Sequence, residues 1–417
     1  MSKGPIHHGN KSLKLGEKYK LMWAAKYIKN TGSIQRDLHK NIVDNIDKLK
    51  GHFDDDVLTL TGNSLEGFDS LEEKLSWMLL VDGCSLLYIL EKDRLVEPGP
   101  MDIKVDQLAI VMVDVLLLEN QLPYEVLELL WKDNNKSELI KSTTNFLECL
   151  WARPGKSQPE KEKDVVPNES QLEKEDDEEG QHNVSIPNES HSKTPTHLLD
   201  LQHKMIATAS KPKTKSNETA DMKGSQEKNK FEMITYRNIQ DLKAVGIRLK
   251  SSKTQSPRDM DFCEGWFAAT LTLPEIVVDD TLAFTYLNLI AYEMCPDFKN
   301  DYVICSYVAF MESLIDHPED VKELRSKRIL LNCLGSDEEV AKLFNIIGTD
   351  LTTNIDTYYD VRCKINKHYS NRYKTWIAKG FENHFSSPWT IIAFSAASIA
   401  LVLTLIQTLF TIHPACK

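Results

Sequence analysis

Outside one polar stretch, apolar residues recur every three to four positions along most of the chain, a spacing that predicts helices. In a first folded segment, from roughly Lys14 to Trp151, Leu21, Ala24, Ala25 and Ile28 mark one helical face. Ile42, Ile46 and Leu49 mark the next. Asp69-Ser70 followed by Glu72-Glu73 is an N-cap signal before Leu75 to Leu90. That helix is apolar on nearly all sides, so burial is expected. It contains Asp82-Gly83-Cys84, and a glycine inside a helix costs about 1 kcal/mol against alanine. Close approach of another backbone is the expected reason for it. Next, the apolar run from Asp114 breaks into Glu119-Asn120-Gln121, and Pro123 opens a helix from Tyr124 to Trp131. These three polar side chains stand where two helix ends meet, so they are placed to satisfy orphan backbone groups.

A second folded segment starts near Met233. Tyr236 to Val245 reads as a short helix with Gly246 at its end, and Ile247-Arg248-Leu249-Lys250 alternates as a strand. Phe267 to Leu273 and Glu275 to Val278 also favour strands, with Pro274 confining that region to an edge or bend. Asp279-Asp280-Thr281 caps a helix from about Leu282 to Met294. Further helices are expected over Tyr302–Ile315, over Asp337–Ile347 behind Gly335-Ser336, and from about Thr353 through Trp376. The fold class is mainly α (α+β): a helical body with one small antiparallel sheet.

The end of the chain changes the picture. Pro388 to Ile412 carries no charge over 25 residues, and a bilayer core needs about 20. A transmembrane helix over 388–412 is predicted, with Pro388, Trp389 and Ile412 at its edges. Ala393, Ala396, Ala397 and Ala400 form a small-residue face that leaves a homo-oligomer open. Arg362, Lys364, Lys367, Arg372, Lys374 and Lys379 precede the span and Lys417 follows it. Positive-inside asymmetry then puts the body in the cytosol, with the lipid bilayer as the first partner and the plasma membrane favoured over the endoplasmic reticulum. The polar N-terminus excludes an ordinary secretory signal peptide, and Ser2 excludes the myristoylation pattern. With the body in the cytosol, the sequons at Asn10, Asn135, Asn168, Asn183, Asn188 and Asn217 would go unused.

Residues 153–232 read as a disordered acidic linker, poor in aromatics, which holds the acidic block Glu173-Lys174-Glu175-Asp176-Asp177-Glu178-Glu179. Val165-Val166-Pro167-Asn168-Glu169-Ser170 is repeated as Ser185-Ile186-Pro187-Asn188-Glu189-Ser190. A docking or phosphorylation segment and a spacer enlarged by local duplication both fit. One island, near 196–206, has apolar residues at helical spacing and is expected to dock on the body as a short helix. The parts are thus 1–152, the linker 153–232, 233–386 and the span 388–412.

Composition adds little more. The chain has 417 residues, 41% hydrophobic, with a formal net charge of -12. That balance speaks against a general nucleic-acid binder. Eight cysteines are too sparse for a disulfide scaffold, and in the cytosol they would be reduced thiols. No phosphate loop, zinc helix, nucleophile elbow or Cys-x-x-Cys pair is present. His7 and His8 fit a metal ligand pair or plain polar residues. Cys84 fits a small hydrophobe better than a nucleophile. Asp279 and Asp280 look like paired carboxylates, but capping accounts for them. No catalytic residue, cofactor or metal is therefore named. The candidate cluster is Glu119, Asn120, Gln121 and Asp82, read as a structural knot of hydrogen bonds.

Several segments resemble a plant family known as domain of unknown function 247, or the UPF-0481 proteins. Gly4-Pro5-Ile6-His7-His8-Gly9 is similar to the family's opening Gly-Pro-Tyr-His-His-Gly, with Ile6 in place of Tyr. Members usually carry more residues before that motif, including a strand-like Val-Ser-Ile. Val81-Asp82-Gly83-Cys84 resembles its Asp-Gly-Cys helix, and Leu116 to Pro123 its most distinctive signature, with Glu125 where an aromatic residue is usual. Asp241 to Ile247, Asn288 to Glu293, Ser306-Tyr307, Met311 to Ile315 and Phe385 to Trp389 also fit, in order. The resemblance implies a membrane-anchored plant protein without an established enzymatic activity, and it supplies no catalytic residue. Some members lie at grass self-incompatibility loci, which implies recognition between proteins.

The leading expectation is a membrane-anchored interaction or signalling module and not an enzyme. The alternatives are an enzyme of unrecognised type, with a pocket around Glu119, Asn120, Gln121 and His7, and a purely structural membrane tether.

Overall fold

A computed structural model describes residues 1–65, 67–91, 101–132, 135–151, 194–208, 238–265, 269–298, 302–370 and 388–412. These divide into two units, one of Met1–Ala209 with Asp279–Lys299 and one of Ser210–Val278 with Asn300–Lys417. Most of the expected linker lies outside the described residues. Its island does not: it forms a helix that belongs to the first unit.

The first unit is built on one buried helix. Helices α1 (Lys14–Thr31), α2 (Gln35–Asp44), α3 (Ile46–Lys50) and α4 (Asp55–Gly62) lead to α5 (Leu71–Leu90). Ser70 caps α5 by accepting from Glu73 N at 3.1 Å, while Glu73 Oε2 accepts from Asp69 N at 2.8 Å. Satisfying these early donors lets the helix start four residues before the first expected apolar position. From Leu75 to Leu90 only Trp77 and Val81 are not fully buried, as an all-round apolar sequence requires. Helices α6 (Val105–Val115), α7 (Tyr124–Leu130), α8 (Lys136–Trp151), α9 (Leu198–Thr208) and α11 (Leu282–Glu293) complete the unit.

Two sequence expectations are corrected here. The core face of α1 is Lys20, Trp23, Ala24 and Tyr27, while Leu21 is 59% exposed. The aromatic rings bury more area than leucine and keep their polar tips satisfied, since Trp23 Nε1 donates to Met101 O at 3.0 Å and Tyr27 OH to Leu130 O at 3.0 Å. Gly83 makes room for side chains and not for a backbone: a Cβ there would lie 2.5 Å from Leu130 Cδ1 and 3.0 Å from Val126 Cγ1 of α7. Pro123 opens α7 as expected, at its N-cap.

The second unit carries α10 (Ile239–Ala244), β1 (Ile247–Ser251), β2 (Asp261–Glu264), β3 (Ala269–Leu273) and β4 (Ile276–Val278). Then follow α12 (Val303–Glu312), α13 (Pro318–Ser326), β5 (Leu330–Asn332), α14 (Asp337–Ile347), α15 (Tyr359–Tyr369) and α16 (Pro388–Ile412). The sheet is not the single antiparallel one expected. Its order is β1-β3-β2, with β1 parallel to β3 (Ile247 opposite Ala269) and β2 antiparallel to β3 (Phe262 opposite Leu271). A second, two-stranded parallel sheet pairs β4 with β5, Ile276 opposite Leu330. Alternating burial along β1 and β3 marks a strand, but it says nothing of direction.

Helix α15 begins at Tyr359 and not near Thr353, because Asn354 closes a turn there. Its N donates to Ser306 Oγ at 3.0 Å and its Oδ1 accepts from Asp356 N at 3.0 Å. The expected continuation through Trp376 lies outside the described residues. In α16 none of the stretch Ile392–Leu409 is buried, and it is long and apolar enough to cross a membrane.

Candidate functional site

Helix α6 ends at Val115 and leaves its last carbonyls without helical donors. A 3-10 turn, Leu118–Asn120, brings two amides back onto them. Asn120 Nδ2 donates to Asp114 O at 2.9 Å and to Met1 O at 3.0 Å. Gln121 Nε2 donates to Val115 O at 3.0 Å and to Leu117 O at 2.8 Å. Their oxygens face elsewhere: Asn120 Oδ1 accepts from Lys3 N at 3.3 Å, and Gln121 Oε1 from Leu199 N of α9 at 2.9 Å. Each amide therefore joins the end of α6 to a second segment.

Asp82 is joined to this cluster through the N-terminal segment. Its Oδ2 accepts from Gly4 N at 2.7 Å, and Lys20 Nζ lies 2.7 Å from its Oδ1. Asp82 has no exposure, and the Lys20 side chain 2%. Lys20 Nζ also meets Glu17 at 2.8 Å and donates to Ser2 O at 3.2 Å. Lys3 Nζ donates to Asp82 O at 3.2 Å and to Ser85 Oγ. Segments far apart in sequence, residues 2–4, Lys20, Asp82-Ser85 and Asp114-Gln121, thus share one hydrogen-bonded cluster. Glu119 does not turn inward. Its side chain is 68% exposed and pairs with His7 Nε2 at 2.6 Å.

Burial pushes the Lys3 ammonium down to about 7, with Asp82 pulling the other way. For Lys20 burial also lowers the value, but Asp82 and Glu17 together outweigh it and hold the ammonium above its ordinary range. Burial pushes the Cys84 thiol up to about 12, so it behaves as a small apolar group. Stability linkage follows for Lys3. Between about pH 7 and the ordinary lysine range the unfolded chain holds a proton that the folded chain does not, so stability rises with pH there and falls on the way down. Lys3→Met should abolish that slope, up to about 1.4 kcal/mol per pH unit. Urea titrations from pH 7 to 10 check it; an unchanged slope rejects a neutral buried Lys3.

Sequence reasoning missed Lys3, Lys20 and Asn288, whose Oδ1 accepts from Leu118 N at 2.8 Å. Lys20 had a signal, since it precedes Trp23 and Tyr27 by three and seven positions on one helix face. Lys3 had none. Among the other candidates, Asp279 Oδ1 accepts from Thr281 N at 2.9 Å and Leu282 N at 3.0 Å, the capping arrangement. Among the described residues, no three His, Cys, Asp or Glu side chains gather as a metal set. Pro388, Trp389 and Ile412 are the first two residues and the last of α16. Chemically the cluster fixes segments together: its amides are spent on backbone carbonyls and its charges on each other.

A family model described as a plant protein of unknown function matches residues 1–403. A UPF0481 protein of Arabidopsis thaliana is 25% identical over 428 residues, covering 98% of this chain and 81% of that protein. A second UPF0481 protein of the same plant is 28% identical over 177 residues, covering 42% of this chain and 33% of its own length. No solved structure matches the chain. Spanned from its Gly-Pro-Ile-His-His-Gly segment into its apolar C-terminal helix, the chain belongs to the plant family of domain of unknown function 247.

Proposed function

We propose that this protein is a membrane-anchored interaction or recognition module, with its body on the cytosolic side. The observation that carries the reading is α16, in whose apolar stretch Ile392–Leu409 no residue is buried. A soluble protein would bury such a helix in its core. At 1.5 Å per residue the 25 residues of α16 make about 37 Å of helix, enough for a plasma membrane with some tilt. The basic residues between Arg362 and Lys379, against Lys417 alone beyond the span, favour the cytosolic orientation. The internal use of the Asn120, Gln121 and Asp82 groups supports a scaffold that presents a surface.

The anchor is tested by carbonate extraction of membranes. The natural chain should stay with the pellet. Leu401→Arg with Leu403→Arg should release it, since each arginine at the centre of a span costs about 2.5–3.5 kcal/mol. Release of the natural chain rejects the anchor. Orientation is read from a tag at Met1 and a glycosylation reporter after Lys417. Digestion of the tag on sealed microsomes with glycosylation of the reporter supports a cytosolic body; the reverse pattern rejects it and brings the exposed sequons at Asn10 and Asn135 into play.

A further inference from the structure

Helix α9 is entered from residues 152–193 and left through 209–237, both outside the described residues. Its seat on the first unit is made largely by side chains. Leu198, Leu199, Ile206 and Ala207 are buried, and Leu198 joins the unit's main core. At its start, Tyr124 N donates to Thr196 O at 2.7 Å and Leu199 N to Gln121 Oε1 at 2.9 Å. In its middle, Tyr292 OH donates to Asp200 Oδ1 at 3.1 Å, while Asp200 Oδ2 accepts from Thr196 N and Lys204 Nζ, each at 2.8 Å. Further along, His203 Nε2 lies 2.7 Å from Glu293 Oε1, with side chains 4% and 0% exposed. The His203 ring stands edge-on to Phe298, centroids 5.3 Å apart.

The receiving surface therefore buries the apolar side of α9 and sets polar posts at fixed places: the Gln121 amide, the Tyr124 N–H, the Tyr292 hydroxyl and the Glu293 carboxylate. That is the layout of a groove that recognises an amphipathic helix by anchors along one face. Its ligand pattern is read from α9 as Leu198, Leu199, Asp200, His203 and Ile206. We propose that this groove is a helix-recognition site, that α9 is its cis ligand and not a fixed layer of the core, and that the same helix of a second copy is its trans ligand.

A second copy offers an identical helix, so every contact is reproduced without redesign, which is the basis of segment exchange between protomers. The chain on either side of α9 is long enough. At about 3.3 Å per residue, residues 152–193 alone reach well over 100 Å when extended. Which occupant prevails is then a matter of effective concentration and not of new contacts. Glu293 is the selectivity element. A helix without a donor in place of His203 would set an apolar side chain against a fully buried carboxylate. This inference builds on the interaction reading but not on the anchor, and its test is run in detergent, so its failure leaves the anchor result untouched.

Protease sites are introduced into 152–193 and 209–237 of the full chain, and the cut protein is mixed with a fluorescent peptide spanning residues 192–210. The expected result is saturable uptake of the label, reversed by unlabelled peptide, with a His203→Leu peptide competing at least tenfold more weakly and a His203→Gln peptide in between. In the uncut chain, a photo-cross-linker at Met205 should join differently tagged copies. If the cut protein stays folded but takes up no label, or unfolds on cutting, α9 is a fixed layer and the proposal fails. Uptake without any cross-link between tagged copies overturns the second copy as the trans ligand.

Discussion

Asp82→Asn is expected to destabilise the protein by roughly 3–5 kcal/mol at pH 7, the usual loss when one partner of a buried ion pair is removed. Asparagine keeps the shape and can still accept from Gly4 N. What it removes is the charge beside Lys20 Nζ, 2.7 Å away, in a site where both side chains are almost fully buried. Lys20 would keep Ser2 O and, as its charged partner, Glu17, whose side chain is 27% exposed. The loss should show as a lower urea midpoint of the full chain in detergent, without a change in slope. Asp82→Asn combined with Lys20→Met should recover most of it, because the acceptor for Gly4 N is kept and no charge is left to desolvate. A single-variant loss below about 1 kcal/mol would mean that water reaches the pair.

Gln121→Glu is the second. The change keeps the length of the side chain and the acceptor for Leu199 N. It replaces a donor to two carbonyls, at 3.0 and 2.8 Å, with an oxygen that repels both. Val115 O is left without its donor, at a cost of about 1–3 kcal/mol, while Leu117 O keeps Asn120 N at 3.0 Å, so with the added repulsion a total of about 2–4 kcal/mol is expected. Gln121→Met, which loses the bonds without adding charge, should fall between the natural chain and Gln121→Glu. Equal midpoints for Gln121→Glu and the natural chain would show that the amide is not what closes the end of α6.

Where local signals agreed, the fold was legible in the sequence. Helix α14 runs from Asp337 to Ile347 as its spacing predicts, since Ser336 caps it by accepting from Glu339 N at 3.2 Å and its apolar face is buried. The all-round burial of α5 was legible for a similar reason. Strand direction was not, because the alternation in β1 and β3 is the same for parallel and antiparallel partners. Nor was the role of Gly83, since the clashing atoms belong to Leu130 and Val126, more than forty residues away.

In the candidate cluster, the break at Glu119-Asn120-Gln121 pointed to a helix end. That Glu119 turns out and Asn120 turns in depends on the 3-10 turn, which no periodicity reveals. Lys3 was illegible for a different reason, and the same reason hid Lys20 despite its place on the face of Trp23 and Tyr27. Hydropathy places lysine at the surface, and only pairing with a buried acid overrides that rule.

The first unit is interrupted: it uses residues up to 208 and then α11, after the chain has made β1 to β4 of the other unit. On the ribosome, where about 5–20 residues are added each second, Tyr292 and Glu293 emerge several seconds after α9. Until then the α9 seat lacks its hydroxyl and carboxylate posts, and Leu118 N lacks Asn288. A nascent chain halted before residue 282 would hold an unfinished unit with part of its apolar face still open to chaperones.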